Sequence, residues 1–336
     1  MRARTRIDGA HHLEAGSASS RIVQIVAQLT DLPFAPVRAV IINCGTKWVT
    51  SIALASVLAR TDCPVLVIDC ESKDGSALHF ERLARSCGLN FHWLRWPLRP
   101  HPDALDALFR SFPSDFVLLV DSDVELLSGR VFAAMTSEIA ADASAYGAGF
   151  LHGPAWMGAE HGLPSCTGYY AERMWIPLVL LRTAFVGRAL EAGCSFANRR
   201  PFLEVPDRPN FSRWIGYRYR IRGMRHLRIP ERWRRHRRQG VEIDGHYPAF
   251  IEYDTGADLH RELLKAGYSF ARLPEALWGD VRHYHGVTRA GLAGRVRLAA
   301  TSLRLASIDA GTEERSVASD IRLRLSEVYG IRLPDA

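Results

Sequence analysis

Residues 116–123, Phe-Val-Leu-Leu-Val-Asp-Ser-Asp, constrain this chain more than any other stretch. Five apolar residues run without interruption and stop at two carboxylates one residue apart. Such a run predicts a strand covered on both faces, as in a parallel sheet. Acidic side chains at the carboxyl end of such a strand stand where open α/β sheets bind ligands. On extended backbone Asp121 and Asp123 would point to one side. Two carboxylates so placed make a hard-oxygen site for Mg²⁺ or Mn²⁺, and such a cation commonly carries a diphosphate. A plain strand-ending turn uses the same residue types, so context has to decide.

The context is alternation. Strands are predicted over 37–43, 64–69, 91–94 and 116–121, with helices over 50–60, 76–87 and 103–112 between them. This β-α repetition at short intervals implies a parallel sheet with helices on its faces. Three polar clusters, at 43–46, 69–74 and 121–123, then fall at three successive strand ends. Beyond 123 the pattern loosens. Helices are expected over 130–140, 182–192, 258–266, 291–306 and 313–329, a strand over 148–152, and a loop over 153–170. Residues 1–36 read as a leader with a short helix over 21–29.

Composition narrows the class. The 336 residues are 47% hydrophobic and 24% charged, as in soluble globular proteins. No run approaches the ~18 apolar residues of a membrane span, and the Arg-bearing N-terminus has no signal-type apolar core. The six cysteines, Cys44, Cys63, Cys70, Cys87, Cys166 and Cys194, form no CxxC pair. Reduced thiols in a cytoplasmic protein are the expectation. Lysine occurs only at Lys47, Lys73 and Lys265, so 40 of the 43 basic residues are arginine, a bias that suits a high-GC bacterial genome. Net charge is +7, but residues 199–238 carry 14 Arg against Glu204, Asp207 and Glu231, a net +11 that leaves −4 on the remainder.

The segments VIDCESKDGS (67–76) and FVLLVDSDVEL (116–126), following the first strand, resemble the nucleotide-sugar half of GT-A glycosyltransferases, family 2 in particular. Asp69 with Glu71-Ser72-Lys73-Asp74-Gly75-Ser76 is similar to the family's second strand end and turn. Asp258-Leu259 through Tyr268 resembles the helix after the family's catalytic acid, and residues 283–288 resemble its C-terminal His region. The resemblance implies a GT-A type α/β fold, with a mostly parallel central sheet and helices on both faces. It implies a nucleotide-sugar half at 37–126, an acceptor half at 127–290 with an Arg-rich insertion at 199–240, and C-terminal helices at 291–336.

It also implies roles. Asp123 would contact Mn²⁺ or Mg²⁺ directly, and Asp121 would hold ribose or a metal-bound water, with Ser122 between them. Asp69 would accept a ring N–H of the base; Asn43 and Thr46 would border that pocket, and Arg99 would lie near the diphosphate. His283 or His285 would complete the metal shell, with Asp280 as a helper. The family places Glu-Asp two to three residues before the Asp-Leu that opens the helix, whereas this chain has Glu252-Tyr253-Asp254-Thr255-Gly256 there. Asp254 is the first candidate for general base and Glu252 the second; on an extended segment they would share a face.

The implied reaction is hexosyl transfer, with inversion, from a nucleotide-diphosphate donor, UDP-linked by preference, to an acceptor hydroxyl. The Arg-rich segment, interleaved with Trp214, Tyr217, Tyr219 and Trp233, suits an anionic membrane surface or lipid phosphate, which would put the protein at the inner face of the membrane. A solvated face is its bland reading, and nucleic acid has no accompanying fold motif. Two other functions share the pattern: a sugar-phosphate nucleotidyltransferase, for which 43–47 is a poor phosphate loop, and a non-catalytic GT-A-like protein binding lipid or nucleic acid.

Overall fold

The computed structural model describes residues 28–29, 31–86, 89–97, 101–157, 168–201, 203, 241–246, 248, 250–284 and 310–332. The first half alternates as expected: β1 (Ala35–Asn43), α1 (Lys47–Arg60), β2 (Val65–Cys70), α2 (Ser76–Ser86), β3 (His92–Trp96), α3 (His101–Phe109) and β4 (Ser114–Asp121). There follow β5 (Val124–Leu126), α4 (Arg130–Ala141), β6 (Ala145–His152), β7 (Ala155–Trp156), β8 (Gly168–Tyr170), β9 (Arg173–Arg182) and α5 (Thr183–Glu191). The chain closes with β10 (Phe250–Glu252), α6 (Ala257–Lys265), β11 (Ser269–Arg272), a 3₁₀ turn (Glu275–Asp280), β12 (Val281–His283) and α7 (Ala310–Tyr329).

Seven strands form one sheet in the order β11-β6-β9-β4-β1-β2-β3. Every neighbouring pair is parallel except those made by β9, which runs against both β4 and β6. The mostly parallel α/β architecture is therefore as the sequence implies, with one correction: β4 is flanked by a parallel neighbour on one side only. The loop expected over 153–170 instead contributes β7 and β8, which join β10 in a small second sheet. The helices expected over 291–306 and most of 21–29 lie outside the described residues, as do 204–240 of the Arg-rich segment.

The unbroken apolar run of β4 is explained by its two covered faces. Leu118 and Val120 pack into one core with Ile52 and Val57 of α1, Phe80 of α2, Met135 of α4 and Leu325 of α7. Val117 and Leu119 pack into the other with Leu105 and Leu108 of α3, Val186 and Leu190 of α5, and Leu259 and Leu263 of α6. Each such side chain contributes about 1.5–3 kcal/mol by leaving water, so alternation with polar residues would cost the sheet one of its helical layers. The carboxyl ends of β1, β2 and β4 consequently open on a common edge.

Candidate active site

Three strand ends are tied together by one chain of buried hydrogen bonds. Asn43, closing β1, and Asp69 of β2 are both fully buried. Asn43 Nδ2 donates to Asp69 Oδ1 at 2.6 Å and to Ser72 Oγ at 2.9 Å. The Ser72 hydroxyl also donates to Asp69 Oδ1, and the Ser72 N–H to Oδ2 at 3.3 Å. On the other side Asn43 Oδ1 accepts from Thr50 Oγ1 at 2.8 Å and from Thr46 Oγ1 at 2.9 Å. Thr46 Oγ1 reaches Ser122 Oγ, just beyond β4, at 3.1 Å. Asn43, Thr46, Asp69 and Ser122 are thus brought together, bonded to one another beneath the edge. In the 69–75 turn Glu71 takes φ 46° and Gly75 φ 83°, a left-handed region that suits glycine.

Asp121 is the last residue of β4, and Ser122-Asp123 form a turn before β5. The two carboxylates are therefore not alternate residues of one strand, as expected: Asp121 ends the strand and Asp123 lies in the turn that follows. Asp123 is 3% exposed, and β12 brings His283 to it. Strand β12 pairs antiparallel with β5, opposing His283 to Val124, and the Tyr284 N–H donates to the Asp123 carbonyl at 2.8 Å. His283 Nε2 stands 3.3 Å from Asp123 Oδ1. Burial pushes the Asp121 carboxyl above the usual range; His101 opposes this, Asp123 adds to it, and His283 opposes it again. His101, at the start of α3, lies 3.7 Å from Asp121. Arg99 and His285 lie outside the described residues.

Among the described residues no group of three or more His, Cys, Asp or Glu side chains converges as a ready-made metal shell. A carboxylate pair with one imidazole nevertheless suits Mn²⁺ or Mg²⁺ when a ligand supplies the remaining oxygens. Asp280, expected as a helper, is engaged elsewhere: Arg130 donates to it at 2.7 Å and holds its carboxyl below the usual range.

The two candidate bases do not share an environment. Glu252, in β10, is buried and its carboxylate is bonded to Arg200. Burial raises its carboxyl, with Arg200 pulling the other way. The Asp254 side chain is 44% exposed and sits 3.7 Å from Arg173. Its Oδ1 accepts from Asn198 Nδ2 at 3.1 Å and from the Thr255 N–H at 2.8 Å. Gly256, at φ 79°, starts α6 with no room for a Cβ, which would lie 2.9 Å from Ile176 and Met174. Arg199 and Arg200, first of the Arg-rich segment, are used inside the fold, by Asp258 at 2.9 Å and by Glu252.

Two features had no place in the sequence reading. Glu125, two residues past Asp123, is fully buried. It accepts from Arg324 Nε at 2.6 and 2.8 Å, from Tyr329 Oη at 2.7 Å and from Tyr284 Oη at 2.8 Å, fixing α7 and β12 to the acidic turn. Its signal was available as a carboxylate inside an otherwise apolar VEL strand. The second feature is a cavity of about 760 Å³ walled by Phe150, His152, Trp156, Tyr170, Arg173 and Trp278, among others. It is assembled from β6, β7, β8, β9 and the 3₁₀ turn, too dispersed in sequence to be read there.

No protein-family model and no curated protein matches the chain. Among solved structures it is similar to S. aureus TarS 1–349 in complex with UDP-GlcNAc, at 15% identity over 48% of this chain and 49% of that one, with a TM-score of 0.34. The mannosyltransferase PcManGT from Pyrobaculum calidifontis, in complex with GDP-Man and Mn²⁺, is 14% identical over 94% and 91%, with a TM-score of 0.36. The bifunctional IspDF from Campylobacter jejuni is 10% identical over 47% and 43%, with a TM-score of 0.34. The chain spans about half the length of the TarS chain. At 15% identity or less and TM-scores of 0.36 or less, these likenesses carry none of the chemistry below.

Proposed function

We propose that the protein is a metal-dependent glycosyltransferase that moves a hexosyl group from a nucleoside-diphosphate donor, UDP-linked by preference, to an acceptor hydroxyl with inversion. The observation that carries this reading is the meeting of His283 and Asp123 at 3.3 Å, beside Asp121 and at the carboxyl end of the central strand. Asp121, Asp123 and His283 would hold Mn²⁺ or Mg²⁺; when bound, the cation offsets the charge that develops on the departing diphosphate. The buried chain from Asp69 through Asn43 and Thr46 to Ser122 supports the reading by fixing the floor on which the nucleotide would lie. In this reading Asp69 holds the Ser72 turn that borders the base, and His101 takes the place near the diphosphate that the sequence assigned to Arg99.

Asp254 is the general base. Its exposed carboxylate takes the acceptor proton as the oxygen attacks the anomeric carbon. The bond from that carbon to the diphosphate oxygen breaks, and the nucleoside diphosphate leaves with the electron pair. Glu252, bonded to Arg200, positions the segment that carries Asp254. Lys47, which a nucleotidyltransferase would need over its phosphates, is bonded instead to the Asp74 carbonyl. No helix among the described residues is long and apolar enough to cross a membrane; a cytoplasmic enzyme docked on an anionic membrane face by its Arg-rich segment is part of the proposal. The test is release of UDP from UDP-glucose in the presence of Mn²⁺, measured for wild type and Asp254→Asn. Release that is unaffected by chelation would remove the metal from the reading.

A further inference from the structure

We infer that the cavity behind Asp254 receives the acceptor, and that the acceptor is a saccharide bearing an anionic group, phosphate or carboxylate. This inference rests on the glycosyl-transfer reading for the word acceptor, but the cavity's ligand class is argued from its own walls.

The cavity, about 760 Å³, falls within the ~300–1,000 Å³ of small-molecule sites. It adjoins both halves of the proposed chemistry. Arg173, in its wall, stands 3.7 Å from Asp254. On another side Trp278 packs edge-on against Trp175, ring centres 4.7 Å apart, and Trp175 against His283 at 5.5 Å. The cavity is thus one side chain removed from the carboxylate proposed as base and two from the His283 proposed for the metal.

Its walls are mixed in a way that selects a sugar. Trp278 is fixed by a parallel stack on Phe150, 3.8 Å between centres and 16° between planes. Trp156 and Tyr170 supply further ring surface. Rigid aromatic faces suit the C–H face of a pyranose at little entropic cost, while His152 and Arg173 offer polar partners to its hydroxyls. A lipid chain would require a wall without these polar groups. The charge points the same way. Arg173 is the largely buried cation of the wall, its guanidinium held 4.6 Å over the Tyr170 ring. Arg272, at the mouth, is paired with the exposed Glu275 at 3.2 Å. A guanidinium held over an aromatic ring in a confined wall, 3.7 Å from the Asp254 carboxylate, can still offer its fork to the carboxylate or phosphate of a ligand.

Isothermal titration of the full chain with glucose 6-phosphate, glucuronate, glucose and inorganic phosphate tests this, with UDP plus Mn²⁺ titrated separately. The expected result is binding of glucose 6-phosphate or glucuronate at least about tenfold tighter than glucose or phosphate alone; which of the two binds identifies the anion. Arg173→Gln should erase that preference. Trp278→Ala should weaken both anionic sugars, and Trp156→Leu is the companion variant because Trp278 also packs against the core. All three variants should keep wild-type affinity for UDP with Mn²⁺. Equal binding of glucose and glucose 6-phosphate, or no sugar binding by a chain that does bind UDP with Mn²⁺, overturns the inference and leaves the donor reading standing. Anionic sugar binding without any nucleotide binding supports the cavity's ligand class and overturns the glycosyl-transfer reading.

Discussion

At the ends of β1, β2 and β4 the polar side chains are buried and bond one another; around Asp254 and the cavity they are partnered but partly exposed. On the first side Asn43 and Asp69 are fully buried and partnered by Ser72, Thr46 and Thr50. On the second, Asp254 is 44% exposed and Arg173 lines a void. Buried polar groups must be paired or they cost stability, so the first side is built for rigidity. An exposed carboxylate such as Asp254, by contrast, is within reach of a ligand. The contrast teaches that one rim is built for rigidity and the other for access, which in the proposed reading divides donor binding from chemistry.

The sharpest break in that contrast is at the turn where the two rims meet. Asp123→Ala should lower donor turnover by more than about 100-fold, the upper figure for groups one shell beyond a metal ligand, while circular dichroism stays unchanged. Next, Glu125→Ala should cost about 3 kcal/mol of stability, since it strands Arg324 beside a core. Urea denaturation reads this, and Arg324→Ala should give a smaller loss because Tyr284 and Tyr329 still donate to Glu125. On the open rim, Asp254→Asn should lower kcat by about 100-fold, as for loss of a general base, with nucleotide affinity unchanged. Glu252→Gln should act mainly on the urea midpoint.

The most gradual effect belongs to the closed side. His79 of α2 meets Ser51 of α1 at 2.6 Å, and burial, helped by Lys47, lowers its pKa from 6.5 to about 4. Between these values the unfolded chain binds the extra proton, so stability rises with pH. His79 therefore contributes stability that is complete above pH 6.5 and is lost as pH falls toward 4, a change of up to about 3 kcal/mol. His79→Gln should flatten urea midpoints over that window; an unchanged slope would assign the pH dependence to other groups.

What was legible in the sequence follows the same division. The run 116–120 announced a doubly covered strand because periodicity is a local signal, and the alternation of 37–121 announced the sheet. The strand ends were legible for the same reason. That Asp123 lies in a turn beyond β4 was not, because where β4 ends depends on its partners β1 and β9, and the next strand, β5, pairs with the distant β12. Glu252 and Asp254 look equivalent at two-residue spacing; Arg200, 52 residues from Glu252, separates them. Glu125's partners Arg324 and Tyr329 lie 199 and 204 residues away, beyond any local pattern. The cavity's aromatic wall comes from four segments, none of which carries a motif.

The claim at the centre of this account is that the Asp121–Asp123 turn binds a nucleoside diphosphate through a divalent cation. Calorimetric titration of UDP into wild type and Asp123→Ala, each with Mn²⁺ and with chelator, tests it most directly. The account predicts binding by wild type that needs Mn²⁺ and is lost in Asp123→Ala. Equal UDP affinity in all four titrations, or none in the wild type with Mn²⁺, would contradict it.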